Sequence, residues 1–294
     1  MKQFSKLYFN GCSHTAGGGL EVFPPEYEQM GVYPIKGYRE LGLDVNWKHC
    51  KEVAYPQRVS ENLNLNVVNE AKQGGSFSRM VRMFWEYISN HGDKDTLFFL
   101  EYPNGLRHEF WSTDLDDYVV VNTAQTTEYL LDLDTPSFTG GQRSYDSPKF
   151  LGDRDKVNPH LETYFKHLFN PDCKTHFNQE LVLLYGMMLH CEQNKIPLII
   201  TDLTKMYDNV NDKPFLKMMR KLLESRGWKY VKIIEHIQEW CKWKSLLIQD
   251  DLKGLKAHRN PDGTYKEYVD GHPGYYGHIE YGKFLTEKIE EWYK

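Results

Sequence analysis

Short apolar runs, each too brief for a helix, recur along this chain and alternate with segments of helical periodicity. Leu7–Asn10, Leu65–Asn69, Thr96–Glu101 and Pro197–Asp202 read as near-continuous apolar stretches, the pattern of parallel strands buried on both faces. A fifth strand is expected at Trp228–Ile233 or at Ser245–Gln249, and the pattern does not separate the two. Between the runs lie "SFSRMVRMFWEYISN" (76–90), with Met80, Phe84 and Ile88 on one face, and "FNQELVLLYGMMLHCEQN" (177–194), which groups Leu181, Leu184, Tyr185 and Met188. "NDKPFLKMMRKLLESRG" (211–227) carries Asp212 as a cap, Pro214 in its first turn and Gly227 past its end. "GHIEYGKFLTEKIEEWYK" (277–294) is amphipathic too. Strands alternating with helices predict a doubly wound α/β sheet.

Two stretches break the rhythm. Residues 20–53 include "EVFPPEYEQMGVYPIKGYRE", rich in Pro, Gly and Tyr, and residues 112–176 are acidic and rich in Gly and Pro. Within the second, "DLDDYVVVNTAQTTEYLLDLD" is expected to form a hairpin. Insertions of this length in a compact domain are usually functional loops or lids. The 294 residues are otherwise read as a single domain, 1–294, without internal repeats.

A net charge of −5 and the lack of any Lys/Arg run argue against a nucleic-acid binder. No apolar stretch approaches a membrane span, and the N-terminus lacks the apolar region of a signal peptide. The five cysteines, Cys12, Cys50, Cys173, Cys191 and Cys241, are odd in number and show no CxxC spacing. A reducing compartment is therefore expected, not a disulfide scaffold or a zinc site.

The first strand runs directly into "NGCSHTAGG" (10–18). A phosphate-binding P-loop needs Lys and Ser/Thr after its last Gly, but Leu20 and Glu21 follow Gly19. The Gly-x-Ser-x-Gly elbow fails as well, because Thr15 holds its last position. Ser13 remains open to two readings, a helix N-cap or a nucleophile. Cys12 reads as a space-filling residue and His14 as a surface or packing residue.

Three distant patches bear on that choice. "NEAKQGG" (69–75) follows the second strand, "YPNGLR" (102–107) follows the third, and "DGHPGYYGH" (270–278) precedes the last helix. With strand order 2-1-3, Ser13, Gly74 and Asn104 all lie at the carboxyl ends of neighbouring strands, where open α/β sheets bind ligands. A Ser hydroxyl needs a base, which His272 can supply, and the base needs an orienting acceptor, for which Asp270 is available. The Ser13 and Gly74 amides and the Asn104 side chain offer donors for an oxyanion. Arg107 and His108 follow closely, the former more simply read as an ion-pair partner.

These four blocks, in this order, resemble the SGNH (GDSL-like) hydrolase superfamily, named for Ser, Gly, Asn and His. The resemblance implies a three-layer α/β/α sandwich with a flavodoxin-like parallel sheet of about five strands. It implies Ser13 as nucleophile, His272 as base, Asp270 as its partner, and Ser13, Gly74 and Asn104 as the oxyanion hole. The forms "GCSHTAG" and "NEAKQGGSFSR" look like divergent phage and bacterial members. This chain departs from the family's usual pattern. Cys12 precedes Ser13 where Asp is usual, Pro103 and Gly105 flank Asn104, and Val269 stands three residues before His272, where the family has its Asp.

The expected function is a serine esterase acting through an acyl-Ser13 intermediate, without cofactor or metal, on a small-molecule or glycan acyl ester. The Tyr-rich and polar insertions point towards an O-acetylated carbohydrate. The alternative is a glycan-binding or structural, virion-associated module on the same scaffold. A metal-dependent hydrolase around Asp270, His272 and His278 is a third reading. The expected location is cytoplasmic, or virion-associated if the source is a phage.

Overall fold

The structure, a computed structural model, describes residues 4–18, 20, 47–72, 75–92, 95–103, 107–112, 117–122, 174–202, 221, 227–251 and 272–293. Of residues 47–49, 107–112, 117–122, 174–178, 202 and 249 only the backbone is described.

Five parallel strands form the central sheet: β1 (Lys6–Asn10), β2 (Asn66–Asn69), β3 (Thr96–Leu100), β6 (Leu198–Asp202) and β7 (Val231–Glu235). Their order is β2-β1-β3-β6-β7, with Lys6 paired to both Asn66 and Thr96. This is the flavodoxin-like order, and it reverses direction between β1 and β3.

Alternation along each strand sorts side chains into two cores. Tyr8, Phe98, Leu100, Leu198 and Ile200 face one side and meet Phe77, Met80, Phe84, Leu181, Leu184 and Met188. Those partners come from α4 (Phe77–His91) and α5 (Lys174–Gln193). Leu7, Phe9, Leu97, Phe99 and Ile199 face the other side, against Tyr55, Val59, Ile237, Trp240, Tyr281 and Leu285. Those belong to α3 (Tyr55–Leu63), α6 (Ile237–Lys244) and α8 (Tyr275–Tyr293). The result is the expected three-layer α/β/α sandwich. Each fully buried Leu, Ile or Phe contributes roughly 1.5–3 kcal/mol of transfer free energy, and both the strands and the helices that cover them supply such residues.

Helix α4 begins where expected, because the Ser76 hydroxyl accepts from the Arg79 amide at 3.1 Å. The fifth strand lies three residues beyond the start of the first candidate, at Val231–Glu235, and the second candidate is not a strand. Ser245 takes a left-handed conformation (φ 55°) at the end of α6, and α7 (Ile248–Asp251) starts within the proposed run. The Asp250 carboxylate accepts from the Leu247 amide there, so the apolar residues turn instead of extending. The stretch expected to form a hairpin contributes one described strand, and its remainder from residue 123 on lies outside the described residues. β5 (Asp117–Asn122) pairs antiparallel with the upstream β4 (Arg107–Ser112), in register from Arg107↔Asn122 to Ser112↔Asp117.

The insertion at 20–53 ends in α2 (Trp47–Val53). Residues 21–46 and 123–173 lie outside the described residues, as do all but residues 221 and 227 of the helix expected at 211–227. Among the described residues no helix is long and apolar enough to cross a membrane.

Candidate active site at the carboxyl ends of the strands

The turn leaving β1 is shaped by its own side chains. Asn10 accepts from the Gly11 amide (2.8 Å) and from the Arg79 guanidinium (3.3 Å), which also binds the Glu70 carbonyl at 2.8 Å. Gly11 is obligatory for space, since a Cβ there would lie 2.6 Å from the Glu101 Cβ and 2.8 Å from the Thr15 hydroxyl. The chain then makes one short helix, α1 (Ser13–Ala16), which ends at Gly17 with φ 82°.

Ser13 is not the cap of that helix. The N-cap position is Cys12, whose side chain makes no cap bond, and Ser13 is the first helical residue. Its hydroxyl points elsewhere: Oγ lies 2.8 Å from Nε2 of His272. Ser13 itself is only 3% exposed. A Cβ on Gly18 would stand 3.0 Å from the Ser13 Cβ and 3.3 Å from the His272 ring, so the glycine leaves that pair its room.

His272 is steadied by its own backbone and by the two residues after it. Its carbonyl accepts from the Ile248 amide at 3.1 Å, and Pro273 bridges to Leu247. The Gly274 amide donates to the Leu246 carbonyl at 2.9 Å. The Asp251 carboxylate then caps α8 by accepting from the Tyr275 amide at 2.7 Å, and Gly274 has no space for a Cβ against that carboxylate. Burial pushes the Asp251 carboxyl up to about 7, with Asp250 adding to the shift and the Tyr275 and Tyr276 amides opposing it.

The second block docks onto the first. The Asn69 amide donates to the Thr15 carbonyl at 3.1 Å, while its oxygen accepts from the Ala71 amide at 3.1 Å. A Cβ on Gly75 would sit 2.6 Å from the Gly11 carbonyl, so Gly75 allows the two loops to touch. Gly74, Asn104 and Asp270 lie outside the described residues. Only the backbone is described for Arg107 and His108.

Against the turn that carries Ser13 lies a carboxylate that sequence reasoning missed. Glu101 follows β3 and is wholly buried. Its Oε1 meets Nδ1 of His14 at 3.0 Å and Nε2 of His236 at 2.8 Å. Its Oε2 accepts from the Thr15 amide at 2.9 Å and from the Thr15 hydroxyl. Burial opposes its charge, but His236 and His14 outweigh that and hold the carboxyl well below the usual carboxylate range. His14 is therefore not a surface residue. It is buried, paired with Glu101, and its ring lies 5.0 Å from that of His272. The sign of Glu101 in the sequence is a Glu closing a strand of otherwise apolar residues. His236 has no such sign, since the apolar pattern sets the fifth strand a few residues too early.

His278 serves the scaffold. It is wholly buried and stacked on Tyr55, and its Nδ1 accepts from the Tyr55 amide at 3.2 Å. Burial, with nearby His14 adding to the effect, pushes it down to about 3, so the ring is neutral. Among the described residues the group able to hold a metal is Cys12, His14 and Glu101, not one built on His278.

A serine hydroxyl against an imidazole nitrogen, at the switch point of a parallel sheet, is chemically equipped for nucleophilic attack with the imidazole as proton acceptor. No protein-family model and no curated protein matches the sequence. Among solved structures, the chain is similar to a lipolytic protein of the G-D-S-L family from Desulfitobacterium hafniense. That pair shares 13% identity over 96% of this chain and 98% of the other, with a TM-score of 0.41. It is also similar to a psychrotrophic esterase from Pseudoalteromonas sp. (9% identity, 98% of each chain, TM-score 0.46). A third is a GDSL-like lipase from Bacteroides thetaiotaomicron (11% identity, 98% of this chain and 88% of that one, TM-score 0.35). Identities this low leave the chemistry to be read from this chain's own residues.

Proposed function

We propose that this chain is a serine ester hydrolase of the SGNH type, with Ser13 as nucleophile and His272 as general base. The observation that carries the reading is the 2.8 Å separation of Ser13 Oγ from His272 Nε2. That distance lies within the reach a base needs to accept the hydroxyl proton.

In the proposed reaction, Oγ of Ser13 attacks the ester carbonyl while Nε2 of His272 takes the hydroxyl proton. The tetrahedral oxyanion is held by the Ser13 and Gly74 amides and the Asn104 side chain. Collapse breaks the ester C–O bond, and the imidazolium protonates the departing alcohol. Water then attacks acyl-Ser13, giving its proton to His272, and Ser13 leaves with that proton restored. Asp270 orients the imidazole in this scheme. The substrate class is an acyl ester, and the Tyr-rich insertion favours an O-acetylated carbohydrate, since sugar faces stack on aromatic rings.

A glycan-binding or structural module without catalysis has no need of a Ser–His pair at hydrogen-bonding distance, and no described residue favours that reading. The test is a panel of short acyl esters and acetylated glycans, assayed with wild type and Ser13→Ala. Turnover by wild type that Ser13→Ala loses supports the proposal, and equal turnover by both overturns it.

A further inference from the structure

We propose that Cys12, His14 and Glu101 form a site for a divalent transition metal of the zinc class, two of whose ligands are the chain neighbours of Ser13.

The three donor atoms lie close together. Sγ of Cys12 lies 3.5 Å from Nδ1 of His14 and 3.7 Å from Oε1 of Glu101, and Nδ1 lies 3.0 Å from Oε1. A tetrahedral zinc ion, with bonds of about 2.3 Å to sulfur and about 2.0–2.1 Å to nitrogen and oxygen, keeps such donors about 3.4–3.6 Å apart. Each observed separation is within about half an ångström of that pattern, so small side-chain adjustments admit an ion.

The donor types agree. Thiolate and imidazole select zinc-class ions over magnesium and calcium, which prefer all-oxygen ligands. The charges also close. A thiolate and a carboxylate cancel a dication, leaving a neutral cluster among residues that are all buried. Three protein ligands leave a fourth position open, the arrangement of zinc sites that do chemistry or take an external ligand.

The surroundings hold the carboxylate in place. Nε2 of His236 bonds Oε1 at 2.8 Å, and the Thr15 amide bonds Oε2 at 2.9 Å. Such outer partners fix the orientation of metal-binding carboxylates. Two of the ligands come from one tight turn and flank Ser13, while the third directly follows the neighbouring strand β3. An ion bound there ties the nucleophile's turn to β3. Binding releases the thiol proton, so affinity rises with pH.

The test is metal binding by the folded full chain, with no need for turnover. Protein stripped with a chelator is titrated with Co(II). The expected result is saturation at one equivalent, with a thiolate-to-cobalt charge-transfer band and tetrahedral d–d bands that Zn(II) erases. Cys12→Ser should abolish the charge-transfer band, and His236→Asn should keep it but weaken Zn(II) binding about tenfold or more. A folded wild type that binds neither ion overturns the proposal and leaves a purely hydrogen-bonded cluster. So does a charge-transfer band that survives Cys12→Ser. Should Cys12→Ser fail to fold, X-ray absorption of the wild-type zinc complex decides. One sulfur among its donors supports the site, and only nitrogen and oxygen donors overturn it. Loss of the esterase reading, seen in Ser13→Ala kinetics, would leave these spectra unchanged.

Discussion

Ser13 Oγ and His272 Nε2 lie 2.8 Å apart although 259 positions separate the two residues in the chain. One sits on the turn after the first strand, the other on the approach to the last helix. If the pair is catalytic, Ser13→Ala and His272→Ala should each lower kcat/KM by about a thousandfold or more, and the double variant should be little worse than either. A fluorophosphonate probe should label the wild type and not Ser13→Ala. Additive losses in the double variant would speak against a shared step.

Glu101 concentrates the largest predicted stability effect. Glu101→Gln keeps the shape but removes the charge that His14, His236 and Thr15 surround, and it should cost about 3 kcal/mol or more of unfolding free energy. Urea denaturation of chelator-treated protein measures it. A cost below about 0.5 kcal/mol would mean that the buried carboxylate is not structural.

The same group sets an acid limit. The folded-state carboxyl of Glu101 lies well below its ordinary value of 4.5, so the unfolded chain takes up a proton first as pH falls. Its stabilisation is present above about 4.5 and is lost as pH falls through the folded value. Wild type should lose stability in that window more steeply than Glu101→Gln.

Asp251 has the opposite sign. Burial raises its carboxyl from 3.8 to about 7 in the folded chain, so the folded state holds the proton that the unfolded state has released. Its contribution is therefore complete below about 3.8 and falls as pH rises to about 7. Asp251→Asn can still accept from the Tyr275 amide and should flatten that slope, read as Tm at several pH values between 4 and 8. A slope unchanged by the substitution would assign it to another group.

Gly11 tests close packing at the turn that carries Ser13. Gly11→Ala places a methyl carbon 2.6 Å from the Glu101 Cβ, with no flexible side-chain end to yield there. The expected cost is about 1–3 kcal/mol, with a fall in esterase activity larger than the loss of folded protein explains. Thermal unfolding and a specific-activity assay on the folded fraction separate the two effects.

Much of the scaffold is readable because buried parallel strands announce themselves as apolar runs. β1, β2, β3 and β6 fall within a residue or so of expectation, and Ser76 marks the start of α4. Helix α3 escapes notice because Tyr55, Pro56, Val59 and Leu63 read as a weak apolar pattern until packed on the sheet. β7 is hard to place because Trp228, Leu246 and Leu247 are as apolar as a strand but serve a loop and a turn. Periodicity reports which residues want burial, not which backbone they adopt while being buried.

The candidate site divides in the same way. Local sequence determined that β1 would end in a tight glycine-bounded turn bearing Ser13, and that a Gly-rich, a Pro-Asn-Gly and a His-Pro segment would come after it at intervals. Only the tertiary structure decided that Ser13 leaves the capping position to Cys12 and turns to His272. It alone brought Glu101, His14 and His236 from three elements into one buried cluster. The reason is physical: a helix cap is satisfied within a few residues, whereas a Ser–His contact and a compensated buried charge exist only once the strand order has made distant loops neighbours.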